Sequence, residues 1–340
     1  MDHTIEAIQK RAAADPRVIS LAGGLPDPLL LPTAPITIPR DALQYGWVEG
    51  ERALRAWVAS RLRARGASID PDEVVITAGA QQALALAASG ALARGARISV
   101  GDATYPGALE AFQHAGAIAC ASSSSCDVAY VMPTVANPTG QVCVPAVDVV
   151  TIADEAYAEL RFDGTIDPPL CARDRDRVWH IGTVSKTLSP GLRIGWLVPP
   201  PGRLAEVIDR KHALDLQASS LGQAALLSLL ASIDYDAHVA RARSSYARRA
   251  DAALTALRAH APPSWRYEAP RGGFSIWIET ARTDDDLTCL HRALAAGVTI
   301  DPGCLFRPPS LRAPFAFRLS FSSVPLADLA PAIARLARAL

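Results

Sequence analysis

The sequence has no excess charge: 34 Lys and Arg stand against 34 Asp and Glu in 340 residues. That balance excludes an electrostatic nucleic-acid binder as the first reading, because phosphate recognition needs clustered surplus cations. No apolar run reaches the roughly 18–20 residues that span a bilayer. The charged, mixed start Met1-Asp2-His3-Thr4-Ile5-Glu6 lacks the plan of a secretory signal. Six cysteines at 120, 126, 143, 171, 289 and 304 form no CxxC and no zinc spacing with histidine, so no metal site is expected. Unpaired thiols in a chain this long fit a reducing cytoplasm, the expected location. HExxH, Walker A and GxSxG motifs are absent, which removes the usual sequence support for those chemistries.

What is present is an ordinary globular composition, half apolar and one-fifth charged, long enough for one large domain or two moderate ones. Apolar strand-like runs at Glu73–Thr77, Arg97–Val100, Ile118–Cys120, Val128–Met132, Val149–Ala153 and Val178–Ile181 are interleaved with helical stretches such as Ala80–Leu92 and Tyr105–His114. Such alternation predicts an α/β fold with a mainly parallel sheet covered by helices. After Trp196 come helices at Leu204–His212, Ser220–Ala231 and Asp236–Ala259. Strands at Gly273–Ile278 and Phe317–Phe321 and helices at Thr283–Ala296 and Leu326–Leu340 predict a small α+β domain. The serine run Ser122–Ser125 is too short for an interdomain linker. Gln141–Asp148 leaves little room for a crossover helix.

Ligands of open α/β sheets gather beyond the carboxyl ends of the strands. There the sequence places Ala78-Gly79-Ala80-Gln81-Gln82, the turn Asn137-Pro138-Thr139-Gly140, Asp154-Glu155-Ala156-Tyr157, Ser185-Lys186-Thr187 and Gly191-Leu192-Arg193. Singly, each has an ordinary explanation as a turn, a helix cap or a surface charge. Together they meet the needs of pyridoxal 5'-phosphate (PLP), which requires an amine for its aldehyde, an acid for its pyridine nitrogen, and amides, hydroxyls and a cation for its phosphate. Lys186 suits the aldehyde and Asp154 the ring nitrogen. Asn137 and Tyr157 suit the ring hydroxyl. Gly79, Ala80 and Gln81 with Ser185 and Arg193 suit the phosphate.

From Ile19 to Val324 the chain resembles the class I/II aminotransferases of PLP fold type I, near the 2-aminoadipate and kynurenine aminotransferases and the aminotransferase-like domain of MocR-type regulators. The resemblance rests on an ordered set: Ile19-Ser20-Leu21-Ala22-Gly23-Gly24-Leu25-Pro26, Gln44-Tyr45-Gly46, Thr77–Leu84, Thr104-Tyr105-Pro106-Gly107, the strand-end motifs above, Arg271-Gly272-Gly273-Phe274 and Phe317-Arg318-Leu319-Ser320. It implies a seven-stranded sheet in a PLP-binding domain over residues 36–235, and a small domain built from 1–35 and 236–340. It implies that Tyr105 stacks on the cofactor, that Tyr45 reaches the phosphate of a neighbouring subunit in a homodimer with shared sites, that Arg318 grips the substrate α-carboxylate, and that the backbone at Gly24 closes over it. Catalysis would fall to Lys186, Asp154 and Tyr157.

Two departures stand out. Ala80 occupies a position where relatives often carry a hydroxyl, and Trp47 one where they often carry a small residue or proline. The implied reaction is ping-pong transfer of an amino group between an α-amino acid and a 2-oxo acid, without a nucleic-acid or membrane partner. A PLP-dependent decarboxylase, lyase or cyclase remains an alternative. So does a non-catalytic PLP-binding sensor, although only 18 residues precede Ile19, too few for a winged-helix domain.

Overall fold

The computed structural model describes every residue except 1–6, 8–9, 11–13, 122–124, 309–310 and 312. The charged start and most of the serine run therefore lie outside the described residues.

The central layer is a seven-stranded sheet. In chain order its strands are β2 (Val75–Thr77), β3 (Arg97–Val100), β4 (Ile118–Ala121), β5 (Val128–Val131), β6 (Val150–Asp154), β7 (Val178–Thr183) and β8 (Gly195–Val198); they are arranged β2-β8-β7-β6-β5-β3-β4. All neighbours are parallel except β8, which runs antiparallel to both β2 and β7. β7 is buried throughout and β6 nearly so, as expected of central strands covered on both faces. The helix Ala80–Ala91 packs on one face through Leu84, Leu86 and Ala87, with Ile98, Ile152 and Ile181 beneath it. The other face meets the helices Arg52–Ala64 and Ser220–Ser232 through Leu54, Val58, Leu226 and Leu229.

Between β5 and β6 no helix forms, so the connection predicted to be too short for a crossover helix crosses as extended chain and turns. β8 was not anticipated from sequence. It begins directly after the Lys186–Arg193 segment, and Gly195 packs against the turn before the helix Ala80–Ala91. A Cβ there would stand 2.6 Å from the Gly79 carbonyl carbon.

The second layer joins residues from both chain ends. β1 (Ile19–Ser20) pairs in parallel with β11 (Val298–Thr299). A four-stranded sheet has the order β12-β13-β10-β9, from β9 (Arg266–Tyr267), β10 (Ser275–Glu279), β12 (Asp301–Pro302) and β13 (Ala316–Ser320). The long helix Tyr235–His260, capped by the Asp234 carboxylate on the Ala237 N–H (2.9 Å), packs against the C-terminal helix Leu326–Ala339. Leu21, Tyr246, Phe317 and Leu336 share one core with Val135 and Tyr157 from the edge of the large sheet, so the two layers meet where the strand ends converge.

Candidate active site

Register brings the chemistry together. Asp154 is the last residue of β6, opposite Ile181 of β7. β7 runs on to Thr183, opposite Gly195, which in turn lies opposite Thr77 of β2. The segments that follow these strands therefore open at one edge. One cavity there is lined by Ala80, Gln81, Tyr105, Asn137, Asp154, Tyr157, Ser185, Lys186 and Arg193, with Met132, Ala156 and Thr183 beside them.

At one end lies the N-terminus of the helix Ala80–Ala91. Its cap is Gly79, at φ +83°, where a side chain would be strained and would also strike Arg193 Nη2 at 2.6 Å. Among the described residues no side chain caps this helix, so its first amides are free to meet an anion. Arg193, itself left-handed at φ +53°, donates to the carbonyls of Ala78 (3.2 Å) and Pro190 (3.3 Å); among the described residues no carboxylate pairs with it. The Ser185 hydroxyl lies 2.9 Å from the Thr183 hydroxyl. The Gln81 side chain turns away, donating to the Gly107 carbonyl (2.8 Å) and accepting from Tyr105 Oη (3.1 Å). Gln81 thus offers the cavity its backbone, and Tyr105 is fixed across it. Burial, reinforced by Asp154 and Tyr157, holds the Tyr105 phenol up at about 12, so it stays protonated.

At the other end Asp154 is buried and accepts from the Ala156 N–H (3.1 Å) and from Tyr130 Oη (2.9 Å). Burial raises its pKa, while these two bonds and Lys186 oppose the rise. Such an acid favours a cationic partner in the cavity. Tyr130 escaped the sequence reading; its signal was a tyrosine within an otherwise small and branched strand. Behind Asp154, burial would raise Glu155, yet His180 and Arg65 hold it at about 2, an ionic anchor beneath the strand ends.

Lys186 is half-buried. Its Nζ lies 3.4 Å from the Gly24 carbonyl and over the rings of Tyr157 and Phe274. Burial, then Arg318 and Arg193, bring its pKa down to about 8, with Asp154 pulling the other way. Tyr157 packs edge-on against Phe274, and burial raises its phenol against the opposing charge of Arg318. Arg318 Nη1 donates to Asn137 Oδ1 at 2.9 Å, which ties the strand β13 to the turn after β5. Tyr45 is separate. It is 79% exposed, beside Trp47 at 75%, in an open groove between residues 37–47 and the helix Ser220–Ser232.

The residues present fit PLP: an uncapped helix N-terminus and an arginine with no carboxylate partner lie at one end, a buried acid at the other, and an amine beside both. The chain is 32% identical to a 2-aminoadipate transaminase of Thermus thermophilus, across 96% of this chain and 90% of that protein. The chain belongs to the PLP-dependent aminotransferases. A kynurenine aminotransferase structure from Pyrococcus horikoshii, in complex with PMP, superposes with a TM-score of 0.89 at 28% identity over 100% of this chain and 94% of the other. The Thermus thermophilus α-aminoadipate aminotransferase LysN, complexed with N-(5'-phosphopyridoxyl)-L-leucine, gives 0.86 at 29%, over 98% and 94%. The HTH-type transcriptional regulator TauR of Rhodobacter capsulatus is 30% identical across 81% of this chain and 62% of the regulator. No family model matches the chain. This aminotransferase has the fold-type I architecture, and its cofactor is pyridoxal phosphate. Among the described residues no cluster of His, Cys, Asp or Glu can hold a metal, and no helix is long and apolar enough to cross a membrane.

Proposed function

We propose that this aminotransferase moves an amino group between an α-amino acid and a 2-oxo acid in two half-reactions, with Lys186 as the reacting amine. One observation carries the assignment: an amine brought down to about 8 lies in one cavity with Asp154 and beside Arg318. When bound, PLP supplies an aldehyde and an electron-withdrawing ring that acidifies the substrate Cα–H.

The chain supplies the rest. Arg318 binds the substrate α-carboxylate through its free N–H groups, a geometry that guanidinium offers. Asn137 holds Arg318 in place. The Gly24 carbonyl lies beside the Lys186 amine and keeps it near the substrate. A substantial share of Lys186 is neutral near pH 8, so it can take the Cα proton as a base and return it as an acid. Asp154, fixed by Tyr130 and Ala156, would meet the ring nitrogen. Tyr157 and Asn137 would serve the ring hydroxyl, and Tyr105 would pack on the ring. Gly79, Ala80 and Gln81 through their backbone, with Ser185 and Arg193, hold the phosphate.

The remaining parts of the proposal have separate support. Exposed Leu43, Tyr45 and Trp47 form an apolar strip of the kind a second copy covers, so the protein acts as a homodimer in which Tyr45 enters the partner's site. The division into 36–235 and a small domain from 1–35 and 236–340 is supported by the β1–β11 pairing and the shared core of the chain ends. The balanced charge and unpaired thiols support a cytoplasmic protein without nucleic-acid partners.

The test is a panel of amino acids given singly to the purified holoenzyme. The expected result is conversion of the bound cofactor to pyridoxamine phosphate with release of the matching 2-oxo acid, abolished in Lys186→Ala. Release of carbon dioxide or ammonia without that conversion would overturn transamination in favour of a decarboxylase or lyase.

A further inference from the structure

Arg318 faces a carboxylate that the site does not otherwise account for. Asp301 and Arg318 are cross-strand partners in the β12–β13 register. Asp301 is 1% exposed. Its Oδ2 accepts from Arg318 Nε (3.0 Å), Arg318 Nη2 (2.7 Å) and the Gly23 N–H (2.9 Å). Its Oδ1 is buried and has no hydrogen-bond partner among the described residues. The guanidinium is constrained elsewhere too. It lies over the Phe306 ring, with Cζ 4.8 Å from the centroid. A side chain at Gly24 would begin 3.3 Å from Nη1, and Asn137 holds Nη1.

A guanidinium has five N–H groups. Asp301 takes two and Asn137 takes one. One N–H remains on each Nη nitrogen, a pair able to meet both oxygens of a single carboxylate. Asp301 therefore has two effects. It ties the Nε edge so that the Nη pair is the edge left for substrate. It also answers part of the buried positive charge before any substrate arrives. A buried ion pair already formed lowers the gain from a further anion, whereas a buried cation left unpaired gains much from one.

We propose that Asp301 is a positioning residue that moderates the grip of Arg318 on carboxylates: it orients the guanidinium and weakens binding enough for substrate and product to exchange in each half-reaction. The inference rests on the reading that Arg318 takes the substrate carboxylate. Exchange matters here because both half-reactions present a carboxylate to the same arginine, and each product must leave before the next substrate enters.

The test measures binding of amine-free carboxylates (propionate, 4-methylpentanoate and 3-phenylpropionate) to the holoenzyme by calorimetry, alongside KM and kcat for whichever amino donor the wild type accepts. In Asp301→Asn the carboxylates should bind about tenfold more tightly than to wild type, and KM should fall while kcat falls with slower product release. A merely structural role would weaken binding and raise KM. If Asp301→Asn fails to fold, Asp301→Ser, also neutral and smaller, carries the same expectation. Arg318→Ala separates the two ideas. If it abolishes carboxylate binding while the neutral Asp301 variants bind no more tightly than wild type, the role of Asp301 is overturned and that of Arg318 stands. If Arg318→Ala binds carboxylates as wild type does, the reading of Arg318 falls and this inference falls with it.

Discussion

The depressed pKa of Lys186 makes a stability statement that can be measured without any substrate. Folding takes the amine from an ordinary 10.5 to about 8, so the folded chain disfavours the protonated form. Between those values the unfolded chain holds the proton more often than the folded one. Stability therefore rises with pH across that window, and the penalty is complete below pH 8. The shift corresponds to about 3 kcal/mol at 1.36 kcal/mol per unit. Because the side chain is only half-buried, solvent screening reduces this to about 2 kcal/mol. Lys186→Met keeps the length and apolar stem and removes the charge. The cofactor-free variant should thus be about 2 kcal/mol more stable than cofactor-free wild type at pH 7, and the gap should close towards pH 10.5. Urea unfolding of both proteins at pH 7, 8.5 and 10 measures this, and the tyrosine titrations common to both cancel in the difference. A variant no more stable than wild type at pH 7, or a gap of constant size across the series, would refute the claim that the fold depresses this amine.

Two further outcomes follow from the two ends of the cavity. Tyr130→Phe removes the donor at 2.9 Å from buried Asp154, and a hydrogen bond to a charged group is worth about 1.5–3 kcal/mol. Denaturant unfolding should show that loss at pH 8 and a smaller one in acid, because the raised pKa of Asp154 lets protonation relieve the uncompensated charge as pH falls. Gly79→Ala places a Cβ at φ +83° and 2.6 Å from Arg193 Nη2; strain of about 1–3 kcal/mol and a displaced arginine should weaken PLP binding by tenfold or more in a fluorescence titration of the cofactor-free protein.

How much of this was readable beforehand depended on whether the cause was local. The strands β6 and β7 announce themselves as short apolar runs because burial on both faces leaves no polar period, and β5, whose residues alternate buried and half-buried, is apolar throughout as well. The residues after them could be collected in advance because a parallel sheet must put all its carboxyl ends at one edge. Strand β8 escaped because four residues opening with glycine have little period of their own, and their pairing with β2 and β7 comes from the return of the chain. The two-residue strands β1, β11 and β12 are of the same kind: they exist because distant segments meet.

The site divides along the same line. Lys186, Asp154, Asn137 and Arg193 stand in motifs whose spacing was legible, whereas the groups that set their chemistry are remote in sequence. Asp154 takes its hydrogen bond from Tyr130, 24 residues earlier. Arg318 takes its counterion from Asp301, 17 residues earlier, through strand register alone. An aspartate within Val298-Thr299-Ile300-Asp301-Pro302 is visible as a charge interrupting an apolar run, but only the pairing of β12 with β13 shows what it faces. Motifs thus locate the candidate groups for cofactor and substrate, and on the proposed role of Arg318 the register of a second sheet would set how strongly it holds a carboxylate. Substrate affinity in this aminotransferase should therefore respond to substitutions in β12, a strand outside every motif that marked the site.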